Sequence, residues 1–286
     1  MSSRTSLSDV DAATPGGTTP AAGETVYRHR LPVRLWHWAN ALAVIVMLMS
    51  GLMIFNAHPH LYWGRYGANF DASWLDITPG RLRIGPVSVP TFGLLGVSPA
   101  GGGFPVAFPP LVTIPSHYDL AAARQWHFFF AWLLVVPGVG YWIWGFARRH
   151  FRRDLAPTRA ELAPSNLIAD VKDHARLRFP TGAEATHYNI LQKLAYCGVL
   201  FLALPLAVLT GLTMSPGIDA AWPWLLDVLG GRQSARSIHF ICAMSLAIFI
   251  VVHLAMVLLA GPVNEVRSIV TGWFRLPRAK QGPRAR

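Results

Sequence analysis

The sequence predicts an all-α membrane protein, a four-transmembrane-helix bundle with a long structured outer loop between helices 1 and 2. Three observations lead there. Of 286 residues, 52% are hydrophobic and only 14% charged, with a mean hydropathy of +0.36, which is too apolar for a soluble chain of this size. Four stretches are apolar for long enough to cross roughly 30 Å of hydrocarbon: 33–55, 126–147, 190–212 and 238–261. Between the first two, the run 84–114 is apolar in composition, but Pro86, Pro90, Pro99, Pro105, Pro109 and Pro110 and the glycine triplet at 101–103 rule out a helix. It reads as an ordered extramembrane loop.

Taken in order, residues 1–25 are Ser, Thr, Ala, Gly and Pro with no apolar core segment, and so read as a disordered tail rather than a signal peptide. The bundle domain is expected over 26–274 and a second basic tail over 275–286. The first span, "RLPVRLWHWANALAVIVMLMSG", opens with His37 between Trp36 and Trp38, tryptophans that suit a membrane interface. The outer loop, 56–119, contains "GGGFPVAFPPLVTIPSHYDL", whose Phe104, Phe108, Leu111, Val112 and Ile114 carry more apolar surface than a solvated linker tolerates. The second span opens "YDLAAARQWHFFFAWLLV", with His127 one turn inside, and stops at "WGFARRHFRRDLAP". The third, "YNILQKLAYCGVLFLALPLAVLTGL", has no histidine, and Pro205 should kink it. The fourth, "RSIHFICAMSLAIFIVVHLAMV", holds both His239 and His253. Small residues, among them Ala39, Gly51, Gly138, Gly140 and Ala243, allow close helix approach or room for a large flat ligand.

Basic residues set the expected orientation. All but six of the 25 Lys and Arg lie before or at the start of the first span, in 148–187, at Lys193, or after Gly261, so both termini are expected on the cytoplasmic side and loop 56–119 outside. The net charge of +11 is then a topology signal directed at lipid, and nucleic-acid binding is not expected. Cys197 and Cys242 both fall inside spans and outside any C-x-x-C-H context, which excludes covalent c-type haem and thiolate-held iron–sulfur clusters.

His239 and His253 are 14 residues apart, about 21 Å along a helix and about 40° short of four turns, so they share one face. By depth, His253 goes with His37 toward the cytoplasmic side, and His239 with His127 toward the outer side. Facing imidazoles roughly 4 Å apart across an iron are what a b-type haem needs, and the interior of a four-helix bundle can supply them. Two haems at two depths explain the spacing. Zinc or copper wants ligands at one point, and no Asp or Glu lies inside a span to make a proton relay. The other histidines, His29, His58, His60, His117, His150, His174 and His187, fall in loops or tails and read as solvated. Arg34, Arg124, Arg232 and Arg236, each near a proposed haem edge, are candidates for pairing with haem propionates or for anchoring span ends to headgroups.

The segments "RLWHWANALAVIVMLMSG", "RQWHFFFAWLL", "YNILQK", "LTGL" and "SARSIHFICAMSLAIFIVVHL" resemble the di-haem cytochrome b subunits that anchor formate dehydrogenases, nickel–iron hydrogenases and thiosulfate-reductase-like enzymes to bacterial membranes. The resemblance implies the same pairing, His37 with His253 and His127 with His239, in the bacterial inner (cytoplasmic) membrane. It implies electron transfer between a periplasmic redox protein and the quinone pool, with Asn189 of the "YN..QK" motif beside the quinone and Gln192 as its neighbour. The long outer loop departs from the short formate-dehydrogenase connection. It looks similar to that of cytochromes accompanying sulfite-oxidase-like molybdenum proteins, and it is the expected docking surface, a lid over the outer haem being the other reading of its apolar residues. Two other readings stay open: a stand-alone superoxide:quinone oxidoreductase, and a passive anchor without a redox role.

Overall fold

A computed structural model describes residues 4–6, 23–96, 105–176 and 188–277. Four of its helical stretches are long and apolar enough to cross a membrane: Leu31–Asn56, Leu120–Ala147, Ile190–Thr213 and Arg232–Ala260. Three of the expected spans each lie inside one of them, and the fourth, 238–261, overruns its helix by one residue at Gly261, whose φ of 114° ends the helix. We number the helices α1 (Leu31–Asn56), α2 (Leu120–Ala147), α3 (Pro164–Ala175), α4 (Ile190–Gly198), α5 (Leu204–Thr213), α6 (Pro216–Ala221), α7 (Trp224–Val228), α8 (Arg232–Ala260) and α9 (Pro262–Thr271). The disturbance expected at Pro205 takes the form of a π turn, Val199–Ala203, between α4 and α5; proline has no N–H to give and crowds the carbonyl four residues back, and a wider turn relieves both. Large apolar side chains such as Trp132, Ile143, Ile248, Val251 and Leu258 stay exposed on the spans, as a lipid-facing surface requires.

The chain divides into two compact units. The first comprises Met1–Trp38, Gly138–Val199 and Phe249–Arg286, and the second Ala39–Pro137 and Leu200–Ile248. In the first, β2 (Thr25–Tyr27) pairs antiparallel with β7 (Trp273–Arg275), and Val26, Phe274 and Leu276 bury between them. Arg28 ties this sheet to α9 through Glu265 at 3.3 Å, with its guanidinium 4.6 Å above the Phe274 ring. Gly272, at φ 88°, turns the chain from α9 into β7; a Cβ there would meet the His29 carbonyl at 2.9 Å, so both backbone and space demand glycine. One difference concerns the N-terminal tail: β1 (Arg4–Ser6) pairs in parallel with β2, whose free edge offers unpaired backbone groups.

In the second unit the loop after α1 is not irregular. β3 (His60–Leu61), β4 (Leu75–Thr78), β5 (Arg81–Ile84) and β6 (Val87–Pro90) form an antiparallel meander in that order. The β4–β5 register places Asp76 opposite Arg83, and the two form an ion pair. Leu61, Leu75, Ile77 and Ala107 bury around Phe55, on whose ring Phe240 of α8 stacks at 4.6 Å. Backbone groups of the loop are taken up by the start of α8. Ser237 Oγ donates to Tyr62 O at 2.6 Å and accepts from Trp74 Nε1 at 2.9 Å, while Ser234 Oγ accepts from Gly64 N at 2.7 Å. The glycine triplet at 101–103, Phe104, His187 and the tail beyond 277 lie outside the described residues.

The return of the loop to α2 hangs on Asn56, whose amide donates to Phe108 O at 3.1 Å and accepts from Phe108 N at 2.8 Å. Asn56→Ala should cost about 1–3 kcal/mol, the usual penalty for stranding buried polar groups. Limited proteolysis should then cut between 105 and 118 at least several-fold faster than in the wild type.

Candidate functional site

Each unit contains one facing pair of span histidines. In the second unit His127 of α2 and His239 of α8 have ring centroids 6.2 Å apart, inclined at 60°. In the first, His37 of α1 and His253 of α8 are 6.3 Å apart, inclined at 55°. Two imidazoles ligating one metal ion through about 2 Å bonds, with about 1.1 Å from each nitrogen to its ring centre, would have centroids about 6 Å apart. Both pairs fit. Among the described residues no three His, Cys, Asp or Glu gather at one point as a metal cluster would, so what the histidines offer is two separate two-imidazole sites, the donor set of a six-coordinate haem iron.

The second unit shows how such a ligand is held in an apolar helix. His127 Nδ1 lies 3.1 Å from Met47 O and 3.1 Å from Ser50 Oγ. His239 Nδ1 lies 2.9 Å from Ala207 O and 3.1 Å from Thr210 Oγ1. Each hydroxyl spends its own proton on its helix, Ser50 on Val46 O at 2.8 Å and Thr210 on Leu206 O at 2.7 Å, so its oxygen is left to accept. Both contacts therefore want a proton on Nδ1, which leaves Nε2, on the far edge of the ring, as the metal-binding nitrogen. A glycine follows each hydroxyl: a Cβ on Gly51 would sit 3.4 Å from His127 Cε1, and one on Gly211 3.3 Å from His239 Cε1. The segments "MLMSGL" and "AVLTGL" are thus one device used twice, on α1 for the histidine of α2 and on α5 for the histidine of α8. Of these residues, the sequence marks Gly51 as a small residue of the first span and contains "LTGL" in the third, while the clamp they form is a feature of the tertiary structure. The recurrence of hydroxyl-Gly-Leu 160 residues apart was the available signal.

The first unit is built differently. Phe249, one turn before His253, stacks on its ring at 5.7 Å and 15°, and Trp38 meets the His37 ring edge-on at 5.2 Å. His37 Nδ1 is buried without a hydrogen-bond partner among the described residues. Trp36 lies flat on Tyr141 at 5.6 Å with its ring against Gly138, where a Cβ would come within 3.0 Å. The glycine makes room for indole.

The remaining candidates are placed as follows. Asn189 caps α4 in a full capping box: its Oδ1 accepts from Gln192 N at 2.9 Å, and Gln192 Oε1 accepts from Asn189 N at 3.3 Å. Asn189 Nδ2 also lies 3.2 Å from His174 Nε2. Arg236 donates to His60 O at 2.8 Å and to His58 O, which fastens the outer loop. Arg232 donates to Met214 O at 2.9 Å, Arg124 lies 5.8 Å over the Phe128 ring, and Arg34 donates to Val270 O. Arg34 Nε is buried and without a partner among the described residues. Two histidines read as solvated are in fact buried, His29 and His150. Burial, aided by the Arg28 and Arg34 guanidiniums, lowers His29 to about 3, so it is neutral at physiological pH.

Ser50→Ala and Thr210→Ala each remove a hydroxyl but leave the carbonyl acceptor, so both variants should fold. Each should shift the midpoint potential of a metal centre held by His127 and His239 while leaving one held by His37 and His253 unmoved, as read by potentiometric titration. Gly211→Val, which drives a branched side chain into His239, should abolish binding at that centre.

A family model described as prokaryotic cytochrome b561 matches residues 28–272. The chain is 27% identical over 227 residues to a putative protein-methionine-sulfoxide reductase subunit YedZ1 of Azospira oryzae, covering 79% of this chain and 88% of the relative. It is 23% identical over 268 residues to a probable Ni/Fe-hydrogenase B-type cytochrome subunit of Cupriavidus necator, covering 88% and 89%, and 21% identical over 263 residues to one from Azotobacter vinelandii, covering 87% and 88%. No solved structure matches significantly. With four apolar spanning helices and a family match across nearly all of its described residues, this chain is a multi-pass bacterial membrane protein of the prokaryotic cytochrome b561 family, a b-type cytochrome of electron transfer.

Proposed function

We propose that this cytochrome carries electrons between a redox protein on the outer side and the quinone pool through two b-type haems, one held by His127 and His239 and the other by His37 and His253. The observation that carries the reading is the recurrence of one ring separation, 6.2 and 6.3 Å, in two pairs drawn from different helices. A haem between two imidazoles supplies one-electron transfer with no open coordination position for substrate. The protein's part is to fix the imidazole tautomers through Ser50, Thr210 and their carbonyl neighbours, to leave room through Gly51 and Gly211, and to surround the ligands with apolar side chains. Arg34, with its unpartnered buried nitrogen, is the first of the four arginines to test against a haem propionate. Arg124, Arg232 and Arg236 follow, and Arg236 is already engaged with the loop.

The partner reading rests on two supports. The relatives are named as subunits of a hydrogenase and a reductase, and the outer loop carries exposed Phe70, Phe92, Leu94 and Leu111 in the connections around a sheet fixed to α8, apolar side chains of the kind that meet another protein. We place this surface in the periplasm and both termini in the cytoplasm, since the basic residues concentrate on the other side. For quinone we assign the start of α4. Among the described residues Gln192 Nε2 donates to no protein group, and an amide there suits a quinone carbonyl.

Pure protein should contain two non-covalent haems per chain by pyridine haemochrome assay; one or none ends the reading. His127→Ala or His239→Ala should remove one haem, and His37→Ala or His253→Ala the other. For the quinone site, Asn189→Ser keeps a good helix cap and Gln192→Glu keeps the capping-box acceptor, so neither loses the helix start. Both should keep two haems and slow quinol-driven haem reduction by about tenfold, the loss of one good hydrogen bond. Unchanged rates would move the site elsewhere.

A further inference from the structure

Where α2 ends, Arg149 adopts φ 52° and the chain doubles back through a π turn, Phe151–Leu155, buried at Phe151 and Leu155. The reversal returns His150 to the helix it has just left. His150 Nε2 lies 3.2 Å from the hydroxyl of Tyr141, and His150 Nδ1 lies 2.6 Å from Asp154 Oδ2. Only the outer member reaches solvent: the Asp154 side chain is 31% exposed and that of His150 8%, and Tyr141 is buried like His150. Burial would raise the Asp154 carboxyl, but hydrogen bonds from His150 and Arg153 outweigh it and hold it below the usual carboxylate range. At the inner end Tyr141 carries the stacked ring of Trp36, the residue next to His37.

A histidine bonded on both sides can serve only to pin a turn. Three further features argue for more. The three groups are in series, and each exchanges protons. The outermost reaches solvent, on the side of the chain where the basic residues concentrate. The charged and titratable groups around the row leave it unblocked: Arg153 bonds Asp154 from the same turn at 2.8 Å; His29, before α1, is buried and neutral; Tyr188, before α4, is raised by burial and lies 5.6 Å from the Arg28 guanidinium, itself paired with Glu265.

We infer that Asp154, His150 and Tyr141 form a proton relay that serves quinone chemistry at the centre held by His37 and His253; the inference rests on the quinone reading above. Reducing a quinone to a quinol consumes two electrons, delivered by the redox partner through the cytochrome, and two protons. For each proton, the Tyr141 hydroxyl releases its hydrogen toward the quinone oxygen and takes one from Nε2 of a His150 imidazolium whose Nδ1–H is held by Asp154. The neutral ring this leaves keeps its Nδ1 proton; a half-turn of the imidazole brings that N–H to Tyr141 and the bare nitrogen to Asp154, where a proton from water restores the imidazolium. Quinol oxidation runs the row in reverse.

The test uses the full haem-loaded chain, with short-chain ubiquinol and menaquinol analogues as probes. Tyr141→Phe keeps the ring on Trp36 and Asp154→Asn keeps a hydrogen-bonding amide on His150, so both variants should retain two haems with unaltered spectra. In each, quinol-driven haem reduction should fall by about tenfold or more, the usual scale for a lost proton-transfer group, and the solvent deuterium isotope effect should change, while reduction by dithionite, which needs no proton, stays at the wild-type rate. As a second measurement, the wild-type reduced-minus-oxidised infrared spectrum should show a carboxylate band that moves on isotopic labelling of aspartate and disappears in Asp154→Asn. Wild-type rates in both variants, or no such band, overturn the relay while leaving the quinone reading in place. Wild-type haems that neither quinol reduces overturn both.

Discussion

An imidazole inside hydrocarbon has one ring nitrogen that must be satisfied by protein, and much of the second unit is arranged around that demand. Helix carbonyls are ordinarily occupied, so the acceptor has to be assembled. Ser50 and Thr210, both fully buried, each turn their hydroxyl proton onto their own helix and present the oxygen together with the carbonyl three residues before it. The glycine after each hydroxyl lets the ring come close enough to use both. Imidazole and clamp sit on different helices each time, so the clamp also sets which helices pack side by side.

The start of α8 carries a second burden. Before it reaches His239 it receives the outer loop through Ser234, Arg236 and Ser237, and in doing so it satisfies backbone groups at Gly64, His58, His60 and Tyr62. Buried polar backbone without such partners would cost several kcal/mol. A loop held at this many points keeps its apolar residues in fixed positions, which is what a docking surface needs and what a solvated linker lacks.

In the first unit the histidine pair is held with less hydrogen bonding and more aromatic contact. Phe249 stacks on His253 and Trp36 seats against Gly138 and Tyr141. Below them, β2, β7 and α9 close through Arg28, whose guanidinium is shared between Glu265 and the faces of Phe274 and Tyr188. The difference between the units is one of chemistry: in the second the imidazole rings are oriented by directional acceptors, in the first chiefly by ring packing.

The four spans, their approximate limits and the histidine pairs were legible in the sequence because each depends on local quantities, the length of an apolar run and the number of residues between two histidines on one helix. The outer loop was legible as ordered through its proline and glycine density, yet its sheet was not, since β4 and β6 are four-residue segments whose pairing is set by contacts across turns and with α8. Asn189 was legible both as a motif residue and as a helix cap, and the coordinates add that Gln192 closes the capping box on α4. His29 and His150 lie in segments whose composition suggests solvent; burial came from a left-handed turn at Arg149 and from packing between segments distant in sequence. The sequence by itself determined what must be in the membrane and how the histidines are spaced, because those follow from helix geometry and transfer energy. Which hydroxyl meets which imidazole, and which loop group is buried, only the tertiary structure decided, because such contacts depend on how helices far apart in the chain come to lie side by side.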